Sequence, residues 1–138
     1  MVRDSLGRQE FMTTLGARLV HVAPGEVDLA FAARPDLAQQ NGFVHAGVLA
    51  AVADSANGYA AFTLAPAGTD VLAVEFKINL LTPARAPHFV ARARVLRAGR
   101  TLTVCRADVF GRETPDGADA GTLVATMQST IIVLPARG

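Results

Sequence analysis

Tryptophan is missing from this chain, tyrosine occurs once, and aromatic residues make up 6% of the whole. So few rings argue against a surface built for stacking on bases. Cysteine also occurs once, at Cys105, which excludes an internal disulfide framework and suits a reducing, cytoplasmic setting. Charged residues are scarce at 18% and almost balanced, with a net charge of +1, so nothing points to a nucleic-acid partner. No apolar run is long enough to cross a bilayer, so no membrane partner is expected. The opening MVRDSLGRQEF lacks the apolar stretch of a signal peptide. No HxxxH or CxxC spacing occurs, so no metal site is expected.

What the chain does have is apolar bulk. Hydrophobic residues are 51% of its 138 positions, enough for one domain over residues 1–138 with its own core. With so few charges, either that core is unusually efficient or some surface is covered by self-association, and self-association is the expectation.

Local signals give an α+β order. A short helix is expected in the first dozen residues, capped by Asp4 or Ser5, with Leu6, Phe11, Met12 and Leu15 as its apolar contacts. Two strand-like runs, ARLVHVA and EVDLAFAA, flank a Pro24-Gly25 turn and read as a hairpin. RPDLAQQNG follows as a polar loop with room for one helical turn. Residues 46–63 are alanine-rich and free of proline, and form the long helix. In VLAVEFKINL, Leu72, Val74, Phe76, Ile78 and Leu80 alternate onto one face, with Ala73, Glu75, Lys77 and Asn79 on the other. HFVARARVLRA and TLTVCRADVF form a hairpin around Gly99. GRETPDGADAG is a loop, and GTLVATMQSTIIVL is a final strand. The expected architecture is a curved antiparallel sheet of about six strands, its last four mostly in antiparallel succession, covering one central helix.

An acid sits in the middle of that helix. At about 100° per residue, Gly47, Ala50, Ala51, Asn57, Gly58 and Ala61 fall within about 60° of Asp54, whereas Leu49, Val52, Ala56, Tyr59 and Thr63 fall opposite. The bulky side can bury itself on the sheet, and the small side leaves room for close approach. A carboxylate on a close-approach face is partly desolvated, which raises its pKa unless a donor compensates, and suits it to act as a general base or nucleophile. The start of the helix carries a different chemistry. Its first backbone N–H groups have no intrahelical acceptor and can polarise a carbonyl oxygen, and Ala46 and Gly47 offer little obstruction. The rise from there to Asp54 is about 12 Å, too long for both to act on one carbon. Two copies of the chain would bring them together at an interface.

The stretch QQNGFVHAGVLAAVADSANGYAAF, with the strand VEFKINLLTPAR and the hairpin VARARVLRAGRTLTVCRADVF, resembles the hotdog-fold thioesterases of the phenylacetate-pathway, PaaI-like type. The resemblance implies a sheet wrapped around one helix, and a homodimer joined edge to edge that often pairs again into a tetramer. It implies an acyl-CoA substrate, with CoA entering only as part of that substrate and no other cofactor. Asp54 falls on the catalytic acid, His45 on the motif histidine, and Ala46 or Gly47 on the carbonyl-polarising amide. Gln39 falls where many members have asparagine, placed among the catalytic residues to orient water or the carbonyl. Asn41, Gly42, Phe43 and Val44 would contact substrate on the way into the helix, with Asn57 either bonding the acid or lining the helix contact. The basic tip of Arg97, Gly99 and Arg100 would meet the CoA phosphates. Ala46 replaces the usual first glycine after the histidine, and Ala73 stands where some members have a hydroxyl. His45 also reads simply as a loop residue tying its own backbone, and Cys105 as a core thiol. A hotdog-fold hydroxyacyl-CoA dehydratase and a non-catalytic acyl-CoA-binding protein are the alternative functions.

Overall fold

The computed structural model describes residues 1–116 and 121–136. The expected loop over 111–121 therefore lies partly outside the described residues. The first dozen residues form two short helices, α1 (Val2–Arg8) and α2 (Glu10–Leu15), broken at Gln9, which is extended at φ −85° and ψ 96°. Neither Asp4 nor Ser5 caps α1. Met1 holds that place without a side-chain bond, and the Ser5 hydroxyl instead lies 3.2 Å from that of Tyr59. Leu6, Met12 and Leu15 are buried as expected, but Phe11 is turned out to solvent.

Strands β1 (Arg18–Ala23) and β2 (Glu26–Ala32) form the expected hairpin, turned by Gly25 at a left-handed φ of 74°. A 3-10 turn at Pro35–Leu37 supplies the single helical turn of the next loop. The long helix α3 (Ala46–Phe62) follows, then β3 (Thr69–Leu80), β4 (His88–Ala98), β5 (Leu102–Arg112) and β6 (Thr122–Pro135). All six strands join one antiparallel sheet in the order β1-β2-β4-β5-β6-β3.

That order corrects the expected succession of the last four strands. Strand β3 pairs with β6, and β4 pairs with β2. Alternation shows that a run is a strand but not which strand lies beside it. Here the chain leaves α3 at the far edge of the sheet and returns across its end through residues 81–87. That crossing is tied at both ends: Leu81 N–H donates to Val124 O at 2.9 Å, Val44 N–H to Ala84 O at 3.0 Å, and Ala33 N–H to Pro87 O at 2.9 Å.

Edge strand β3 also breaks its own alternation. The register against β6 slips between Ala73 and Glu75, so Val74 is an extra residue. Cross-strand partners share a face. Ala73 lies opposite buried Ile131, and after the slip Phe76, Ile78 and Leu80 lie opposite buried Ser129, Met127 and Ala125. Leu72 sits opposite Ile132, on the outer face. The single apolar face expected from Leu72 to Leu80 is therefore split, and Ala73 joins the inner one.

Helix α3 fills the concave side of the sheet. Val52, Ala53, Ala56 and Ala60 have no exposed surface, and they pack with Phe31, Phe89, Ala93 and Met127 into the core. Small alanines let the helix sit close against the strands. Cys105 is a fully buried thiol whose pKa burial pushes up to about 12, as befits a core residue.

Candidate active site

Asp54 stands half-buried in the middle of α3, where one carboxylate oxygen, Oδ1, is enclosed with no hydrogen-bond donor among the described residues. Burial raises its pKa above the ordinary aspartate value. The carboxylate opens into a cavity of about 270 Å³ between α3, the N-terminal helices and the β3 edge. Asp70, Val71, Leu72 and Ala73 form the β3 wall. Ala73 thus lies beside the acid, and its methyl group supplies no hydroxyl there.

The hydrogen bonds that join Ser5, Gln9, Ser55 and Tyr59 in this cavity left no signal in the sequence. Gln9 donates through Nε2 to the Tyr59 hydroxyl at 3.0 Å and accepts from the Ser55 hydroxyl through Oε1 at 3.2 Å. Ser5 completes the network at Tyr59. Gln9 and Ser5 lie some fifty positions from their partners in the chain, and no local pattern marks such contacts. The break at Gln9 between α1 and α2 delivers its side chain to the helix.

The start of α3 forms a second cavity, of about 340 Å³, lined by Gln39, Phe43, Val44, Ala46, Leu49 and residues Leu80–Ala84. The loop into it is held by its own backbone. Gln39 N–H donates to Phe43 O at 2.8 Å, Gly42 N–H to Gln39 O at 3.0 Å, and Gly42 takes the left-handed φ of 86° that this turn needs. Asn41 N–H is bonded to the Gln39 side-chain oxygen, so that oxygen is engaged and the amide NH₂ remains as donor. Asn41 and Gly42 are exposed, Val44 is buried, and the Phe43 ring lies 4.9 Å under the Arg85 guanidinium.

His45 is the N-cap of α3, and its Nδ1 accepts the Gly47 N–H at 2.8 Å. The ring does tie its own backbone. Its acceptor role at Nδ1 puts the proton on Nε2, which leaves an outward N–H donor. Val48 and Leu49 N–H groups bond to His45 O. Of the two amides expected to polarise a carbonyl, Gly47 is thus occupied, and Ala46 N–H is the one with no acceptor among the described residues.

The half-open stripe of α3 is rotated from the one expected. Ala51, Asp54, Ser55, Gly58 and Phe62 are half-exposed, while Asn57 and Ala61 are buried. Asn57 neither bonds the acid nor reaches the cavity. Its Nδ2 donates to the Ser129 hydroxyl at 2.8 Å beneath the helix, and neither residue has exposed surface. The bond satisfies the Asn57 NH₂ and the Ser129 oxygen in the core, while Asn57 Oδ1 has no partner among the described residues.

Arg97, Gly99 and Arg100 sit at the β4–β5 tip. Gly99 is dictated by the turn, since its N–H donates to Leu102 O at 2.8 Å and an added Cβ would lie 2.6 Å from that oxygen. The register Ala98↔Thr103↔Ile131↔Ala73 places the tip at the Asp54 end of the sheet, three strands from β3, or about 14 Å. Within one chain it lines neither cavity.

Residues 41–118, more than half of the chain, match the family model described as the thioesterase superfamily. A thioesterase family protein from Silicibacter pomeroyi is 46% identical, with a TM-score of 0.90 covering 98% of this chain and 96% of that one. A mutant of the phenylacetic acid degradation protein PaaI from Thermus thermophilus is 30% identical, with a TM-score of 0.77 over 90% and 98% of the two chains. A thioesterase from Haemophilus influenzae, at 20% identity, shares the fold with a TM-score of 0.85 over 97% and 88%. With its helix wrapped in an antiparallel sheet, its motif from Gln39 to Asp54 and these relatives, the chain belongs to the thioesterase superfamily and is a hotdog-fold, PaaI-like member of it.

Proposed function

We propose that this protein hydrolyses an acyl-CoA thioester to the free acid and CoA, at a site that two copies of the chain build together. The observation that carries this reading is Asp54, a desolvated acid with a donor-free oxygen in a cavity that opens at an unpaired sheet edge. Such a carboxylate is a competent base once ionised. It takes a proton from water as the water oxygen bonds to the acyl carbon, or it attacks that carbon itself and, on loss of the thiolate, forms a mixed anhydride that water then hydrolyses to the free acid and the regenerated carboxylate. Ala46 N–H holds the oxygen of the tetrahedral intermediate. The C–S bond then breaks, and the thiolate leaves with a proton.

The free edge of β3 supports the pairing. Phe76 and Leu80 are about half-exposed on the inner face, and Leu72 and Val74 are similarly open. An uncovered edge strand of twelve residues with these open apolar side chains invites a second strand. Ala73 borders the acid cavity and Leu80 the helix-start cavity, about 23 Å apart along the strand. Antiparallel pairing that sets Ala73 opposite Leu80 of the partner subunit brings the two kinds of cavity face to face twice per dimer. Assembly beyond the dimer, and a cytoplasmic location, belong to the same reading.

The test is turnover of phenylacetyl-CoA, hydroxybenzoyl-CoA and medium straight-chain acyl-CoAs, read as free thiol. Asp54→Asn and Asp54→Ala should lose turnover by at least about a hundredfold while keeping the circular dichroism of the wild type. Wild-type turnover in either variant would end the assignment.

A further inference from the structure

We propose that Arg85 and Arg112 form the phosphate subsite for the nucleotide end of coenzyme A. The proposal rests on the acyl-CoA reading and replaces the β4–β5 tip as the principal phosphate contact. A cleft of about 560 Å³ lies between residues 82–86 and the ends of β5 and β6, and both arginines line it. It shares Thr82 and Pro83 with the helix-start cavity. A thioester whose carbonyl oxygen sits at Ala46 N–H can therefore run its thiol arm over Thr82 and Pro83 and bring its charged end between the two guanidiniums.

The two arginines differ from three others that are held by carboxylates. Arg94 pairs with Asp28 at 2.7 Å, Arg106 with Asp108 at 3.1 Å, and Arg34 with Asp36 at 3.0 Å. Among the described residues neither Arg85 nor Arg112 has a carboxylate within 4 Å. Arg112 goes further: its Nε is buried and finds no acceptor among the described residues, an unmet donor that an oxyanion would satisfy. Arg85 is positioned in advance. Its guanidinium lies 4.9 Å over the Phe43 ring, and its backbone N–H bonds to Pro83 O at 3.0 Å. The adjacent loop is pinned by Val44 N–H to Ala84 O and by the Thr82 hydroxyl to Leu123 O. A held guanidinium loses less freedom on binding than a loose surface cation. Among the described residues one acid, Glu113, also lines the cleft, and the two arginines outnumber it.

The test is calorimetric titration of the full chain with coenzyme A and with pantetheine, which lacks the nucleotide and all phosphates. Arg85→Gln and Arg112→Gln should each weaken coenzyme A by about ten- to a hundredfold, the range of a charge-assisted hydrogen bond, and leave pantetheine unchanged. Glu113→Gln should tighten coenzyme A, and Arg106→Gln, with its own partner on the outer face, should change nothing. Arg85 is exposed, so Arg85→Gln decides the matter even if Arg112→Gln disturbs β5. The proposal is overturned if the wild type does not bind coenzyme A, if Arg85→Gln binds it as the wild type does, or if pantetheine weakens in parallel. Turnover separates the two readings. Hydrolysis insensitive to both arginines leaves the thioesterase standing without this subsite. Arginine-dependent binding without hydrolysis leaves the subsite standing without the enzyme.

Discussion

The imidazole of His45 and the backbone amide of Gly47 are closed on each other, with Nδ1 accepting that N–H at 2.8 Å. The pair explains why position 47 is glycine. A Cβ there would lie 3.0 Å from Nδ1 and 3.3 Å from Cε1 of the same ring, so a side chain would push the cap aside. Gly47→Ala and His45→Ala should each destabilise the fold by about 1 kcal/mol, the worth of an N-cap, measured by urea unfolding. His45→Asn supplies another capping acceptor and should recover that stability. If turnover of His45→Asn stays low while stability returns, the outward Nε2–H has a separate part in the chemistry.

Ala46 can lose its N–H without losing the helix. It is the first helical residue, where proline is tolerated, and His45 before it is already extended at φ −60° and ψ 138°. Ala46→Pro should fold normally and lose kcat by about a hundred- to a thousandfold, as when one oxyanion donor is removed. Mixing the inactive Ala46→Pro and Asp54→Asn chains by unfolding and refolding should then restore roughly a quarter of wild-type activity, since half of the twofold dimers are mixed and each holds one intact site. No recovery would mean that each chain builds its own site.

Asp54 sets a pH dependence whose sign is fixed by its raised pKa. The folded carboxyl keeps its proton up to a higher pH than the unfolded one. Between those two values the folded state binds more protons, so stability falls as pH rises through that window, and the deficit is complete above it. Asp54→Asn has no such group. Its Tm should exceed that of the wild type at neutral pH, and the two should converge in acid. Wild-type kcat/KM should rise with pH through the same raised pKa as the base ionises. A Tm gap that is constant with pH would show that the carboxyl is not desolvated.

Ser129 and Asn57 answer each other beneath the helix. Ser129→Ala leaves the Asn57 amide buried with neither end bonded, as Oδ1 already has no partner among the described residues. The cost should be about 1–3 kcal/mol in urea unfolding. Substituting Asn57→Leu on top of it should give back part of that loss, and Ser129→Ala alone should leave kcat near that of the wild type.

Features written in local signals were legible from the sequence. Pro24-Gly25 and Gly99 mark their hairpins because turns have residue requirements of their own, and α3 is visible in its proline-free alanine run. The small-residue company of Asp54 pointed to a desolvated acid, because helix geometry follows from counting. Counting failed where the fold chooses among equivalents. Asn57 lies as near to Asp54 around the helix as Ala51 does, but the sheet covers one side of the acid and not the other. Alternation could not reveal that β3 crosses to the far edge, nor that a slip at Val74 separates Leu72 from Phe76. The contacts of Gln9 with Ser55 and Tyr59, and the cleft that Arg85 and Arg112 both line, join distant parts of the chain and leave no mark in either neighbourhood.

The surplus residue at Val74 has a consequence for how this strand can change over evolutionary time. Counting from Ala73, an unbroken zigzag would have turned Phe76, Ile78 and Leu80 away from the helix. One additional position lets both ends of the strand address the same side, small next to the carboxylate and bulky next to the amide. Loss of that codon would turn half of the strand inside out at a stroke, whereas point substitutions along it would act one side chain at a time. Length here should therefore be guarded more strictly than identity.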